Sequence, residues 1–143
     1  MKAETRIIHR MAHTTIMYNN CYGGLGFSSE ACAEYLRRTD ITDFSFCNIE
    51  RDDPVMVAIV REMGKRANGQ CARIKLHELD DRYAKHYSIH EYDGLESVEV
   101  NYERHALDSI KATLGRLDLS NDAKVDECRR IVLELRGPLP NQK

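Results

Sequence analysis

Asn20, Cys21, Tyr22, Gly23, Gly24, Gly26 and Ser28 bring more chemically capable groups into one short stretch than any other part of this 143-residue chain. Cys21 supplies a thiol, and a thiol becomes a nucleophile when a neighbouring base takes its proton. His77, His86 and His90 follow later in the chain, and an Asn or Asp could orient such a base. A thiol hydrolase built on Cys21 and a strand histidine, His90 foremost, is therefore one chemistry on offer. Against it, Ser28 opens the expected helix several residues after Cys21, where the helix dipole does little to lower the thiol pKa.

The glycines offer a second chemistry. Glycine accepts backbone angles closed to other residues and lets a ligand approach the main chain, while the first turn of a following helix presents free N–H groups and partial positive charge. Asn20 through Ser28 thus form a candidate ligand-binding set for a small anion or nucleotide. Gly24-Leu25-Gly26-Phe27-Ser28-Ser29 approximates the dinucleotide fingerprint, with Glu50 about where a ribose-binding acid is expected. Its third small position is Ser29, however, and no second mononucleotide half follows. A Walker loop is excluded because no Gly-Lys-Ser/Thr appears. The plain alternative is a tight structural turn with Cys21 and Tyr22 packed inward.

Neither a metal nor any other cofactor is expected. The chain has no Cys-x-x-Cys pair, and His86 and His90 on one strand face would stand about 13 Å apart, too far for one ion. His9 and His13 would suit a metal only on a helix, and their segment is not patterned as one.

These residues need elements to hold them. Thr14 to Tyr18 is β-branched and apolar and predicts a strand entering the glycine loop. Ser28 or Ser29 caps a helix running to Arg38, acidic at its start and basic at its end. Asp43 to Ile49 predicts a second strand, and Asp53-Pro54 starts a helix that stops near Gly64 to Ala67. After the Asn68-Gly69 turn, Cys71 to Glu78 alternates as a half-buried strand does. Asp93-Gly94 joins His86–Tyr92 and Leu95–Asn101 as a type I′ hairpin. Leu107, Ile110, Leu114 and Leu117, then Val125, Cys128, Val132 and Leu135, repeat at helical spacing and predict two closing helices. Their stripes are expected to pack on the sheet, with homo-oligomer formation through the same face as the alternative.

The expected fold class is α+β: a small mixed or antiparallel sheet of four to five strands with a β-hairpin, covered by helices, and a C-terminal helical hairpin. Its parts are an N-terminal arm (1–13), an α+β core (14–101), the helical hairpin packed on the core (102–136) and a tail (137–143). Length and composition suit one domain.

Net charge is −2 and the isoelectric point near 6.3, so no global basic field draws nucleic acid, which is not expected as the main partner. The local excess of cations from Arg61 to Lys75 reads as a solvated helix end. Five cysteines, odd in number and unevenly spaced, with no signal peptide, predict reduced thiols and an intracellular protein. No run of eighteen apolar residues predicts a membrane span.

The stretch Tyr18 to Ser28 resembles the signature, Asn/Asp-Cys-Tyr-Gly-Gly, of a family of small uncharacterised proteins encoded by tailed phages and large DNA viruses. Arg51-Asp52-Asp53-Pro54-Val55, Gly64 through Asn68-Gly69 to Ile74-Lys75, and Ile89 to Val98 are similar to its later blocks in the same order. The resemblance covers most of residues 14 to 100 and leaves out the arm and the C-terminal helices. It implies a viral origin, with the host cytoplasm or virus factory as the location, and it brings no activity with it. With no catalytic constellation combining order and spacing, the leading expectation is a non-enzymatic viral accessory protein that binds a host or viral protein. Sequestration of a small anionic ligand or nucleotide at the glycine loop and the Cys21 hydrolase are the alternatives.

Overall fold

The computed structural model describes residues 12–42 and 49–135. The arm before Ala12, the tail after Leu135, Cys47 and, apart from Ile49, the strand expected over Asp43–Ile49 lie outside the described residues. The described chain is α+β: two antiparallel strand pairs, two helices beside the first pair, and a C-terminal helical pair.

Strand β1 (His13–Asn19) pairs antiparallel with β2 (Ile74–Asp80), His13 opposite Asp80 and Asn19 opposite Ile74. Successive side chains of a strand point to opposite faces. Ile16 and Met17 are adjacent and both fully buried, so β1 is covered on two sides. On the Met17 side lie helix α1 (Ser29–Arg38) and helix α2 (Pro54–Met63), which contribute Ala31 and Tyr35, and Met56, Ile59 and Val60.

Both helix starts follow from local chemistry. Ser28 caps α1 by accepting from the Ala31 N–H at 3.1 Å. Asp53 caps α2, one carboxylate oxygen accepting from the Val55 and Met56 N–H groups at 2.9 and 2.8 Å. Its other oxygen accepts from the Tyr35 hydroxyl at 2.9 Å, which ties α1 to the first turn of α2. Helix α2 ends at Gly64, whose φ of 58° only glycine adopts at little cost, and a 3₁₀ turn over Gly64–Ala67 follows.

Strand β2 begins at Ile74, three residues later than the alternation from Cys71 suggests. The Asn68-Gly69 turn is longer than two residues, with the Ala72 N–H donating to the Gly69 carbonyl at 3.1 Å, and Cys71 is held by the glycine loop instead. Strands β3 (Tyr87–Tyr92) and β4 (Leu95–Val100) form the expected hairpin, with Asp93 and Gly94 at φ values of 51° and 84° as its turn requires.

Helix α3 (Tyr102–Leu114), capped by the Asn101 side chain, and helix α4 (Asn121–Leu135) pack on each other. Their buried members are not the expected ones. Ala106 and Thr113 on α3 and Ile131 on α4 are buried, whereas Leu107, Leu114, Val125 and Val132 are exposed. Small residues form the seam because they let two helix backbones approach. The Ser109 and Thr113 hydroxyls remain satisfied there by donating to the His105 and Ser109 carbonyls at 2.8 and 2.9 Å.

Candidate functional site

The glycine loop is clamped between two other turns. On one side lies the turn from Asn68 to Arg73: the Asn20 N–H donates to the Arg73 carbonyl at 2.8 Å, the Gly69 N–H to the Gly26 carbonyl at 2.8 Å, and Phe27 and Asn68 form an isolated antiparallel bridge. On the other side lies the β3–β4 turn, whose Asp93 carbonyl accepts from the Gly23 N–H at 3.4 Å. A Cβ on Gly23 would sit 2.6 Å from the Cys71 carbonyl oxygen, and one on Gly94 would sit 2.3 Å from the Gly24 nitrogen. Close backbone approach therefore accounts for Gly23 and Gly94. Gly24 and Gly26 face open space.

Asn19, one residue before the set named from sequence, is the hub of this junction and is fully buried. Its amide donates to the Cys21 and Gly94 carbonyls, both at 2.7 Å, and its carbonyl oxygen accepts from the Arg73 N–H at 2.8 Å. One side chain thus binds the loop, the hairpin turn and the strand entry together. Its backbone N–H donates to Glu96 Oε2 at 2.8 Å, and the Glu96 carboxylate is gripped by Arg51. A single strong signal was present for Asn19, a polar residue at the end of an apolar strand next to the glycines. Alternation in β4 puts Glu96 on the face of Val98 and Val100, an acid among apolar residues, whereas nothing local marked Arg51.

Cys21 is half-buried, and its thiol donates to the Cys71 carbonyl oxygen at 3.1 Å and to Asn19 Oδ1 at 3.4 Å. Both partners are neutral carbonyl-type acceptors, whereas nucleophilic chemistry needs a base to remove the thiol proton. His90 projects from β3 to solvent and pairs with Glu99 at 2.6 Å. His77 stands on β2 opposite Ile16, and Glu50 is exposed in the turn before α2, its carbonyl accepting from the Asp53 N–H. No hydrogen bond among the described residues joins Cys21 to a histidine. Asn20, Tyr22 and Gly23 are exposed, and Ser28 has its hydroxyl in the α1 cap and its N–H on the Ala67 carbonyl. The Asn20, Gly23 and Ser28 N–H groups are committed within the fold, which leaves fewer donors for an anion than the glycine count suggests.

Two surfaces at the C-terminal helices were not visible as sites in the sequence. The first is a cleft of about 710 Å³ between the 3₁₀ turn at Asp81–Tyr83 and the α3–α4 pair, walled by Tyr83, Tyr102 and His105. Behind it, His86 Nε2 bonds Asp108 at 3.0 Å, and the His86 and His105 rings meet edge to face at 5.0 Å. Burial, with the nearby His86 and Arg82, holds His105 below its ordinary pKa. The cleft arginines Arg82, Arg116 and Arg130 are paired with Asp80, Asp118 and Glu127, respectively, so the cleft is not a free cationic surface.

The second is a groove of about 640 Å³ along the other side of the same helix pair, formed by Ile110, Leu114, Val125, Cys128, Val132 and Leu133 with Arg129 at its edge. Eight of the eleven exposed large apolar residues among those described lie on α3, α4 or their connection. Leu114 is 57% exposed, Leu133 65% and Leu117 entirely so. This is the stripe the helical spacing picked out, left open.

Among the described residues, no three His, Cys, Asp or Glu side chains converge to hold a metal ion, and no helix is long and apolar enough to cross a membrane. No family model, no curated protein and no solved structure matches the chain.

Proposed function

We propose that this protein is a non-enzymatic interaction module working through the open apolar face of α3 and α4. The carrying observation is the groove from Ile110 to Leu133, an aliphatic surface continuous across two helices and flanked by Leu107 and Leu117. Large contiguous apolar patches on a folded protein mark interaction surfaces, because each exposed aliphatic group forgoes about 25 cal/mol per Å² that burial would return. The core, from residue 14 to the hairpin, serves as the rigid body that presents this face. The Cys21 thiol meets an amide oxygen and a backbone carbonyl, neither of which is a general base. The resemblance to small viral proteins adds the setting to the proposal: the interior of an infected cell, with a host or viral protein as partner.

The test is site-specific photo-crosslinking from position 114 or 132 of the full chain in expressing cells, with position 65 on the opposite body of the protein as control. Discrete adducts from 114 and 132, absent from 65, are expected. The same diffuse background at all three positions would remove the reading.

A further inference from the structure

Resting on that reading, we infer that the occupant of the α3–α4 face is a second copy of this chain, two helical hairpins closing into a four-helix bundle. Three observations converge on self-pairing.

The first is angular. In a four-helix bundle each helix has two neighbours, about 90° apart around its axis. On α3 the seam residues Ala106 and Thr113 face α4, and at 3.6 residues per turn the stripe of Leu107, Ile110 and Leu114 lies roughly 80° round from them. On α4 the stripe of Val125, Cys128 and Val132 lies about 90° round from buried Ile131. Each helix has one neighbour in place and a second apolar edge at the angle a bundle needs. Both edges open on the same side of the hairpin, because both line one groove.

The second is repetition. Leu107-Ile110-Leu114 on α3 and Val125-Cys128-Val132 on α4 have the same three-four spacing. Such seams interdigitate with others of the same period, and a second copy supplies two of them in a symmetric arrangement.

The third is area and charge. The open stripe exposes on the order of 500 Å² of aliphatic surface, at the top of the range a monomer carries. Two such faces, with their polar margins, bury about 1,200 Å² or more, enough for a stable pair. At 3.6 residues per turn, Lys111 on α3 and Arg129 and Asp122 on α4 fall at the outer edges of the stripes, all exposed. Mixed sign lets the face meet its own image, whereas a margin of one sign would repel it.

The experiment is light scattering coupled to size exclusion on the full chain at micromolar concentrations. The expected mass is twice the 16.5 kDa of one chain, falling to one chain in a Leu114→Asp/Val132→Asp variant whose circular dichroism is unchanged. A wild-type mass of one chain overturns the inference, as does a dimer that survives the double substitution. A one-chain mass together with crosslinks from position 114 to a different protein overturns self-pairing and leaves the interaction reading standing. A one-chain mass with no specific crosslinks removes both.

Discussion

Arg51 meets Glu96 through two parallel hydrogen bonds, Nη1 to Oε2 at 2.6 Å and Nη2 to Oε1 at 2.8 Å, along the edge of β1 that β2 does not occupy. On that edge the Met17 N–H donates to the Arg51 carbonyl and the Asn19 N–H to Glu96, both at 2.8 Å, while Arg51 Nη1 reaches the Met17 carbonyl at 3.3 Å. A guanidinium–carboxylate pair and one loop carbonyl thereby do what a third strand does elsewhere, satisfying backbone groups that would otherwise be left unpaired. Among the described residues the four strands form two pairs, and this edge of β1 is where the two pairs meet. The Arg51–Glu96 ion pair also docks the β3–β4 hairpin on the core, since Glu96 belongs to β4.

Removing one partner of a buried ion pair leaves the other uncompensated. The Glu96 side chain is 5% exposed and that of Arg51 28%. Glu96→Ala is expected to lower unfolding free energy by roughly 2–4 kcal/mol, with Arg51→Met/Glu96→Leu recovering much of the loss. Urea denaturation of the three proteins checks this, and an unchanged midpoint in Glu96→Ala would contradict the docking role.

The same region separates glycines that the fold requires from one that it does not. Gly94→Ala places a Cβ 2.3 Å from the Gly24 nitrogen at a φ of 84°, and Gly23→Ala drives one into the Cys71 carbonyl. Each is expected to cost about 3 kcal/mol or more, because the obstructing atoms are backbone. Gly26→Ala meets open space and is expected to shift stability by less than about 1 kcal/mol. Equal melting temperatures for Gly94→Ala and Gly26→Ala would contradict the clamped loop.

Asn19 offers a sharper contrast. Its amide makes two donor bonds and accepts one from a backbone N–H, all within 2.8 Å. Asn19→Asp keeps the shape but loses both donors and buries a charge beside Glu96, so it is expected to destabilise by roughly 3 kcal/mol, at least as much as Asn19→Ala. Thermal unfolding with Asn19→Asp close to wild type would show that hydrogen-bond direction at the hub is unimportant.

Acid titration should show two arms. Burial pushes the Glu96 carboxyl up, but the bonds from Arg51 and the Asn19 N–H outweigh it and leave the pKa below its ordinary 4.5. Its contribution is present above about 4.5 and lost as pH falls through the lower folded value. His105 is held below its ordinary 6.5 chiefly by burial, so the unfolded chain binds its proton more tightly and stability falls as pH drops from about 6.5 toward the folded value. Denaturation midpoints between pH 7 and 3 should therefore decline in two steps. His105→Phe should flatten the upper one and Glu96→Gln the lower.

Legibility in the sequence followed the range of the interactions. Ser28, Asp53-Pro54 and Asp93-Gly94 act within a few residues, and their caps and turn stand where local chemistry put them. Asn19 and Glu96 are 77 residues apart, and no local pattern links a strand-end asparagine to an acid on the Val98 and Val100 face of a later strand. The stripes of α3 and α4 follow the helical spacing, but Leu107, Leu114, Val125 and Val132 are exposed rather than packed on the sheet. Hydrophobic periodicity weights Leu and Val, whereas the seam between these helices is made by Ala106 and Thr113, whose value is small size. The glycine loop was legible as a turn, but the two turns that press on it were not, because sequence shows the glycines and not their distant neighbours Cys71 and Gly94.

The working surface is tested most directly by the labelling rate of Cys128, which lines the groove. Peptide-resolved alkylation of the full chain should be slow at that thiol at tens of micromolar protein, faster on dilution, and fast at every concentration in Leu114→Asp/Val132→Asp. A rate at Cys128 that is high and independent of concentration in the wild-type protein would contradict the claim that a second copy covers the α3–α4 face.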